Sequence, residues 1–210
     1  MSYLTLVSAE LLLDHIEDPN WLVIDVRHEL QDISAGRTAY EAGHIPGSVF
    51  LHLDEDLSAP KTGLNGRHPL PDREAFARKL AENGLNRSSQ VVIYDAAEGM
   101  MAARLWWMLR WCGHKAVAVL EGGWAAWMKC QAPVSTVPRI CKKGDFHLEP
   151  ALTTQVDAAQ VLANIDTRER LVLDARGPDR FRGENETMDP VGGHIPGAVN
   201  RCFRDNLDEF

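Results

Sequence analysis

The sequence predicts an α/β fold of two like units, each a parallel sheet flanked by helices on both faces, the second incomplete within this chain. Three observations predict it. Short apolar runs, such as LVI at 22–24 and AVAVL at 116–120, alternate with amphipathic helical stretches, the pattern of strands buried on both faces. The stretch LVSAELLLDHIEDPNWLVIDVR (6–27) is echoed by TQVDAAQVLANIDTRERLVLDAR (154–176). Val7 falls on Val156, Ile16 on Ile165, and Leu22, Asp25 and Arg27 on Leu171, Asp174 and Arg176. One inserted residue later, GHIPGSV (43–49) meets GHIPGAV (193–199), the same turn in the same order after the same strand.

Each copy opens alike. Ser8 and Asp157 are N-caps of short amphipathic helices. Buried strands over 21–26 and 170–175 end in Asp-x-Arg. The first copy continues with a short strand near 48–53. A helix capped by Asp72 then carries Phe76 and Leu80 on one face and is stopped by Gly84. Strand 90–95 leads to helix 100–112 with Gly113 behind it, and strand 116–120 leads through Glu121-Gly-Gly to helix 124–130. The stretch 131–150 holds three prolines and little periodicity, and reads as a linker. The expected organisation is a first domain over 1–130, the linker, and the N-terminal part of a second domain over 151–210. The repeat places the counterpart of Asp95 near residue ~245. Within this chain the second sheet is therefore expected to have open edges and an uncovered apolar face.

Composition narrows the function. A net charge of −8 and the lack of a long basic run argue against nucleic acid and anionic membrane as partners. No apolar run approaches the ~20 residues of a membrane span. MSYLTLVSAELLLDH lacks the layout of a signal peptide, so the expected location is cytoplasmic. The four cysteines, Cys112, Cys130, Cys141 and Cys202, show no paired or metal-like spacing and read as free thiols. No metal and no cofactor is expected.

VVIYDAAEGMMAARLWW (91–107) places a strand, a tight turn and a helix where parallel α/β sheets carry their chemistry. Its corner holds Asp95 and Glu98 instead of a nucleophile. Around it lie Tyr40-x-x-x-His44-Ile-Pro-Gly-Ser48, VLEGGWAAW (119–127), and DARGPDRFRG (174–183) followed by GGHIPGAVN. On these motifs the chain resembles, over essentially its whole length, the tandem-domain rhodanese family of thiosulfate and 3-mercaptopyruvate sulfurtransferases. The resemblance implies a catalytic cysteine loop in the second domain, whose backbone N–H groups lower the thiol pKa and bind an anionic donor. The thiolate takes the outer sulfur, becomes a persulfide, and passes that sulfur to cyanide or another thiol. It implies too that the first domain is the silent copy, with Asp95 at the emptied corner. No cysteine in this chain has an arginine six residues on, so the nucleophile is expected beyond Phe210 and the 210 residues are expected to be inactive.

By the same resemblance Arg180 binds the donor's negative charge; otherwise it is a solvated surface arginine. Arg176 either assists it or, like its repeat mate Arg27, pairs with the neighbouring aspartate. Mercaptopyruvate-type relatives carry a second arginine nine residues after the first; Asp189 stands there, which favours thiosulfate. His44 and His194 occur in both copies and read as structural, as do Asp25 and Asp174. Asp95 reads as a helix cap ahead of a general base, and Asp95 with Glu98 would repel an anion at that corner. The tryptophans read as packing. The alternative function is a non-catalytic module that binds a partner protein; a phosphatase of similar architecture would also need the missing cysteine loop.

Overall fold

The computed structural model describes residues 2–208 and divides into two compact units, Met1–Thr154 and Gln155–Phe210. The first contains β1 (Leu6–Val7), α1 (Ala9–Asp14), β2 (Trp21–Asp25), α2 (Ala35–Ala42), β3 (Val49–Phe50), α3 (Arg73–Glu82), β4 (Gln90–Tyr94), α4 (Met100–Trp111), β5 (Val117–Leu120) and α5 (Gly123–Lys129). Its sheet is parallel throughout, in the order β1-β5-β4-β2-β3. Strands β2 and β4 run in register from Trp21 opposite Gln90 to Asp25 opposite Tyr94. From this central pair the connections leave in opposite directions, β2 toward β3 and β4 toward β5. A crevice therefore opens at their carboxyl ends, the place where such sheets bind ligands.

Alternation along the strands decides which helix covers which face. Val91 and Ile93 join Leu22 and Ile24 in a core with Phe76 and Leu80 of α3 and Leu105 and Leu109 of α4. Val92 and Tyr94 point the other way, to Leu12 of α1 and Trp127 of α5. Ser8 accepts from the Leu11 N–H and Asp72 from the Ala75 N–H, the caps that start α1 and α3. Trp111 is buried in the first core, with Trp106 and Trp107 packed against it.

The stretch read as a linker is laid along the first unit. Ser135 and His44 exchange backbone hydrogen bonds, Gly144 donates to the Ala81 carbonyl, and Glu149 donates to that of Cys112. Phe146 is buried in the core beside α3. Prolines suppress helical and strand patterning here without freeing the chain, because its unmatched backbone groups find partners on the loops and helix ends of the first unit.

The second unit holds α6 (Ala158–Thr167), β6 (Leu173–Asp174), α7 (Pro178–Arg182), β7 (Val199–Asn200) and a 3₁₀ turn over Phe203–Asn206. A capping box joins Asp157 and Gln160 at the start of α6. β6 and β7 pair in parallel, as β2 and β3 do. The strand read over 170–175 shortens to Leu173–Asp174. Side chains that the repeat buries in the first unit are open in the second: Leu22 is 2% exposed and Leu171 71%. Among the described residues, no helix is long and apolar enough to cross a membrane.

Candidate functional site

The crevice of the first unit is walled by the ends of β2 and β4. Asp25, fully buried, accepts from Arg27 Nε at 2.9 Å and Nη2 at 2.6 Å, and from the Tyr94 hydroxyl at 2.6 Å. Burial pushes its carboxyl upward, against the pull of Arg27 and Tyr94. The same Arg27 Nη2 donates to the Gly43 carbonyl at 2.7 Å, and its guanidinium lies 4.5 Å from the Trp124 ring centroid. Asp-x-Arg thus ties the end of β2 to the GHIPG turn. That turn is fixed again by His44, stacked on Tyr40 with Nδ1 2.7 Å from the Tyr40 carbonyl oxygen and Nε2 3.1 Å from that of Val137.

The second unit repeats this arrangement. Arg176 donates to Asp174 at 2.6 Å and to the Gly193 carbonyl at 2.6 Å, and His194 stacks on Phe181 with Nδ1 2.7 Å from its carbonyl oxygen. The Arg176 side chain is taken up by this tie and by Glu186, 3.4 Å from its Nη1. The Asp174 carboxyl lies below its ordinary value, chiefly through the hydrogen bond from Arg176.

Asp95 follows β4 and turns its carboxylate into the start of α4. Oδ1 accepts from the Ala97 and Gly99 N–H groups at 2.9 and 3.0 Å, and Oδ2 from those of Met101 and Ala102 at 2.8 and 2.9 Å. A helix N-terminus with its N–H groups gathered in this way is an anion cradle. Here the chain's own carboxylate fills it, and Asp95 is 1% exposed. The carbonyl of Asp95 accepts from the Trp124 N–H at 2.8 Å, and a Cβ on Gly123, at φ +55°, would stand 2.5 Å from that oxygen. Only glycine allows α5 this close to the corner. Glu98, at φ 57°, is exposed. The two carboxylates expected to repel an anion together therefore do not act alike: one occupies the cradle and the other faces solvent.

Arg180 lies in the middle of α7. Its Nη2 is 2.9 Å from both carboxylate oxygens of Glu186, its Nε 3.1 Å from Oε2, and its Nη2 3.4 Å from Asp189. Glu186 is itself held by the Met188 and Asp189 N–H groups. Its carboxyl is pushed down to about 2, first by the Met188 N–H and then by Arg180 and the Asp189 N–H, against desolvation. Sequence reasoning missed Glu186 and Tyr94. The acidic run GENETMD carried a signal for the first; nothing local marks the second.

The thiols are poorly placed for nucleophilic chemistry. Burial pushes Cys112 up to about 11. Cys130 is raised by its contact with the Glu10 carboxylate, and Cys141 by burial. Cys202 is half-buried ahead of the 3₁₀ turn.

Residues 8–130 match the family described as rhodanese-like domain. A probable 3-mercaptopyruvate sulfurtransferase of Pseudomonas aeruginosa is 44% identical over 209 residues, covering 99% of this chain and 74% of that protein. A putative thiosulfate sulfurtransferase, SseB of Mycobacterium tuberculosis, is 37% identical over 183 residues, and the chain spans 63% of its length. Among solved structures, SseA of Escherichia coli, described with the 3-mercaptopyruvate sulfotransferases, superposes with a TM-score of 0.84 at 31% identity. That match covers 99% of this chain and 78% of that one.

Proposed function

The chain belongs to the rhodanese-like family, and from that premise we propose that it is the greater part of a sulfurtransferase that moves sulfur from a small anionic donor to a thiol or cyanide acceptor. The observation that carries this reading is the 44% identity to a 3-mercaptopyruvate sulfurtransferase over 99% of the chain. The geometry supports a silent first unit, which keeps the anion cradle but fills it with Asp95; the donor role of Arg180 in the second unit rests on the family resemblance, and a donor would have to compete with Glu186 for its guanidinium. The nucleophile is a cysteine outside these 210 residues, because none of the thiols described here sits in an N–H cradle of the kind Asp95 fills.

In the proposed reaction a cysteine thiolate attacks the outer sulfur of thiosulfate. A sulfur–sulfur bond forms at the cysteine as the donor's own breaks, and sulfite leaves with the electron pair. Cyanide then takes the outer sulfur as thiocyanate and returns the thiolate. With 3-mercaptopyruvate the bond that breaks is carbon–sulfur, and the electron pair leaves on the pyruvate enolate, which takes up a proton to become pyruvate. Asp189, beside Arg180, weighs toward thiosulfate; the names of the relatives cover both donors.

The test is to assay the protein isolated from its own source with each donor. Thiocyanate from thiosulfate and cyanide, or pyruvate from 3-mercaptopyruvate, supports the reading. Neither product overturns it in favour of a partner-binding module. The 210-residue chain alone is expected to turn over neither donor. Turnover by it that Cys202→Ser abolishes would place the nucleophile inside the chain.

A further inference from the structure

We propose that His28, His52 and Asp54 form a binding site for a divalent transition-metal ion of the zinc, cobalt or nickel class, separate from the Asp95 cradle. The neighbouring strands β2 and β3, paired at Asp25 and Phe50, deliver His28 and His52 just past their carboxyl ends. Asp54 and His68 come from the long loop that follows β3. One ligand atom from each of His28, His52 and Asp54 lies within 4.8 Å of the others. His68 Nε2 lies 3.6 Å from Asp54 Oδ1, at the rim of this group of three. Imidazole nitrogens with one carboxylate are a donor set that suits borderline divalent metals.

Three observations point to a ligand here beyond mere proximity. The His28 side chain is 1% exposed, its Nδ1 has no hydrogen-bond partner, and its Nε2 stands 3.8 Å from Asp54 Oδ2. That separation is too long for a hydrogen bond and suits two ligands of one ion. A buried imidazole served this poorly is costly unless something else completes it. Second, His52 is oriented as metal-bound histidines are: Nε2 faces the Ile33 carbonyl oxygen at 2.7 Å, which leaves the Nδ1 lone pair directed at the loop. There it accepts hydrogen bonds from the Asp54 and Glu55 N–H groups, at 3.1 and 3.3 Å, which the ion would have to displace. Third, the site already gathers a cation, since Lys61 Nζ lies 3.1 Å from Asp54 Oδ1 on a half-exposed side chain free to leave. The loop is pinned in place by Arg104, whose Nη2 donates to the Leu57 and His68 carbonyls at 2.8 and 3.0 Å. Sequence spacing hides the site because its ligands are spread from 28 to 54 and meet only through strand pairing.

The test is titration of the full 210-residue chain with cobalt(II), followed by its visible spectrum, and with zinc by calorimetry. One site is expected, with ligand-field absorption and no thiolate charge-transfer band. His28→Gln should weaken binding tenfold or more, a loss that outer-shell changes alone can reach. Lys61→Met should tighten it, a gain that a merely destabilised variant cannot mimic. His147→Gln, a change at an exposed histidine elsewhere, should leave it unchanged. Should His28→Gln fail to fold, NMR of the unaltered chain decides: zinc must shift the ring signals of His28 and His52 and not those of His147. Absence of binding at millimolar metal, a thiolate band, or indifference to both His28→Gln and Lys61→Met would overturn the proposal.

Discussion

Asp95 shows how one side chain can settle what a corner does. Four backbone N–H groups converge on its two oxygens, so its loss strands donors at the start of α4. Asp95→Ala is expected to destabilise the first unit by about 2–4 kcal/mol, the scale of buried polar groups left unmade. Urea unfolding should show this as a lower midpoint at unchanged slope. Asp95→Asn should cost nearly as much, since its amide would present N–H to the Met101 and Ala102 N–H groups. A neutral Asn variant would mean that the carboxylate does not hold the cradle. Glu186 makes a pH prediction in the second unit. Its carboxyl titrates at about 2 when folded and near 4.3 in an unfolded chain. Its contribution is thus full above the unfolded value and is lost as pH falls from about 4.5 toward 2. Amide protection in α7 and the following loop, relative to the intrinsic exchange rate at each pH, should fall through that window, and Glu186→Gln should remove that pH dependence. An unchanged profile in the Gln variant would assign it to other carboxylates.

At the scale of elements, legibility followed local strength of pattern. The strand over 90–95 and the helix over 100–112 were readable because a run of buried apolar residues and a long amphipathic stretch each declare themselves within one window. β1 was not: it has two residues, Leu6 is 53% exposed, and it exists through pairing with β5 far along the chain. α2 was missed because AGRTAYEA carries a glycine near its start and buries only Gly36 and Tyr40. That glycine has a reason sequence alone does not show: a Cβ there would stand 1.9 Å from the Arg27 carbonyl oxygen. Gly36→Ala is therefore expected to cost about 2 kcal/mol or more despite alanine's better helix propensity, since the obstacle is backbone. Thermal unfolding of the variant checks it, and a stabilised protein would show that α2 can shift freely. Of the candidate site, the Asp-x-Arg ties were legible because the repeat displays them twice. Tyr94 and Glu186 were not, since each meets its partner only through the fold.

Across the molecule the two units differ in what their backbones can rest on. The first covers both faces of a five-stranded sheet with apolar clusters and holds 131–150 against itself by backbone hydrogen bonds. The second pairs two strands of two residues each, and Leu162, Leu171 and Leu173 are 67%, 71% and 59% exposed. A pair of short strands with little buried apolar surface opens locally at small cost, whereas a strand inside the first sheet opens only with the unit. Proteases cleave what opens, so brief treatment with proteinase K, which cuts with little sequence preference, should leave a resistant fragment ending near Thr154, not near residue 130, while sites beyond it are cut early. The position of the cut separates two ideas of the 131–150 stretch. A fragment ending near 130 would mean that its hydrogen bonds to His44, Ala81 and Cys112 do not persist in solution. Equal resistance on both sides of Thr154 would mean that the exposed leucines of the second unit are covered in solution by a second chain, and sedimentation of the same sample would show the larger particle.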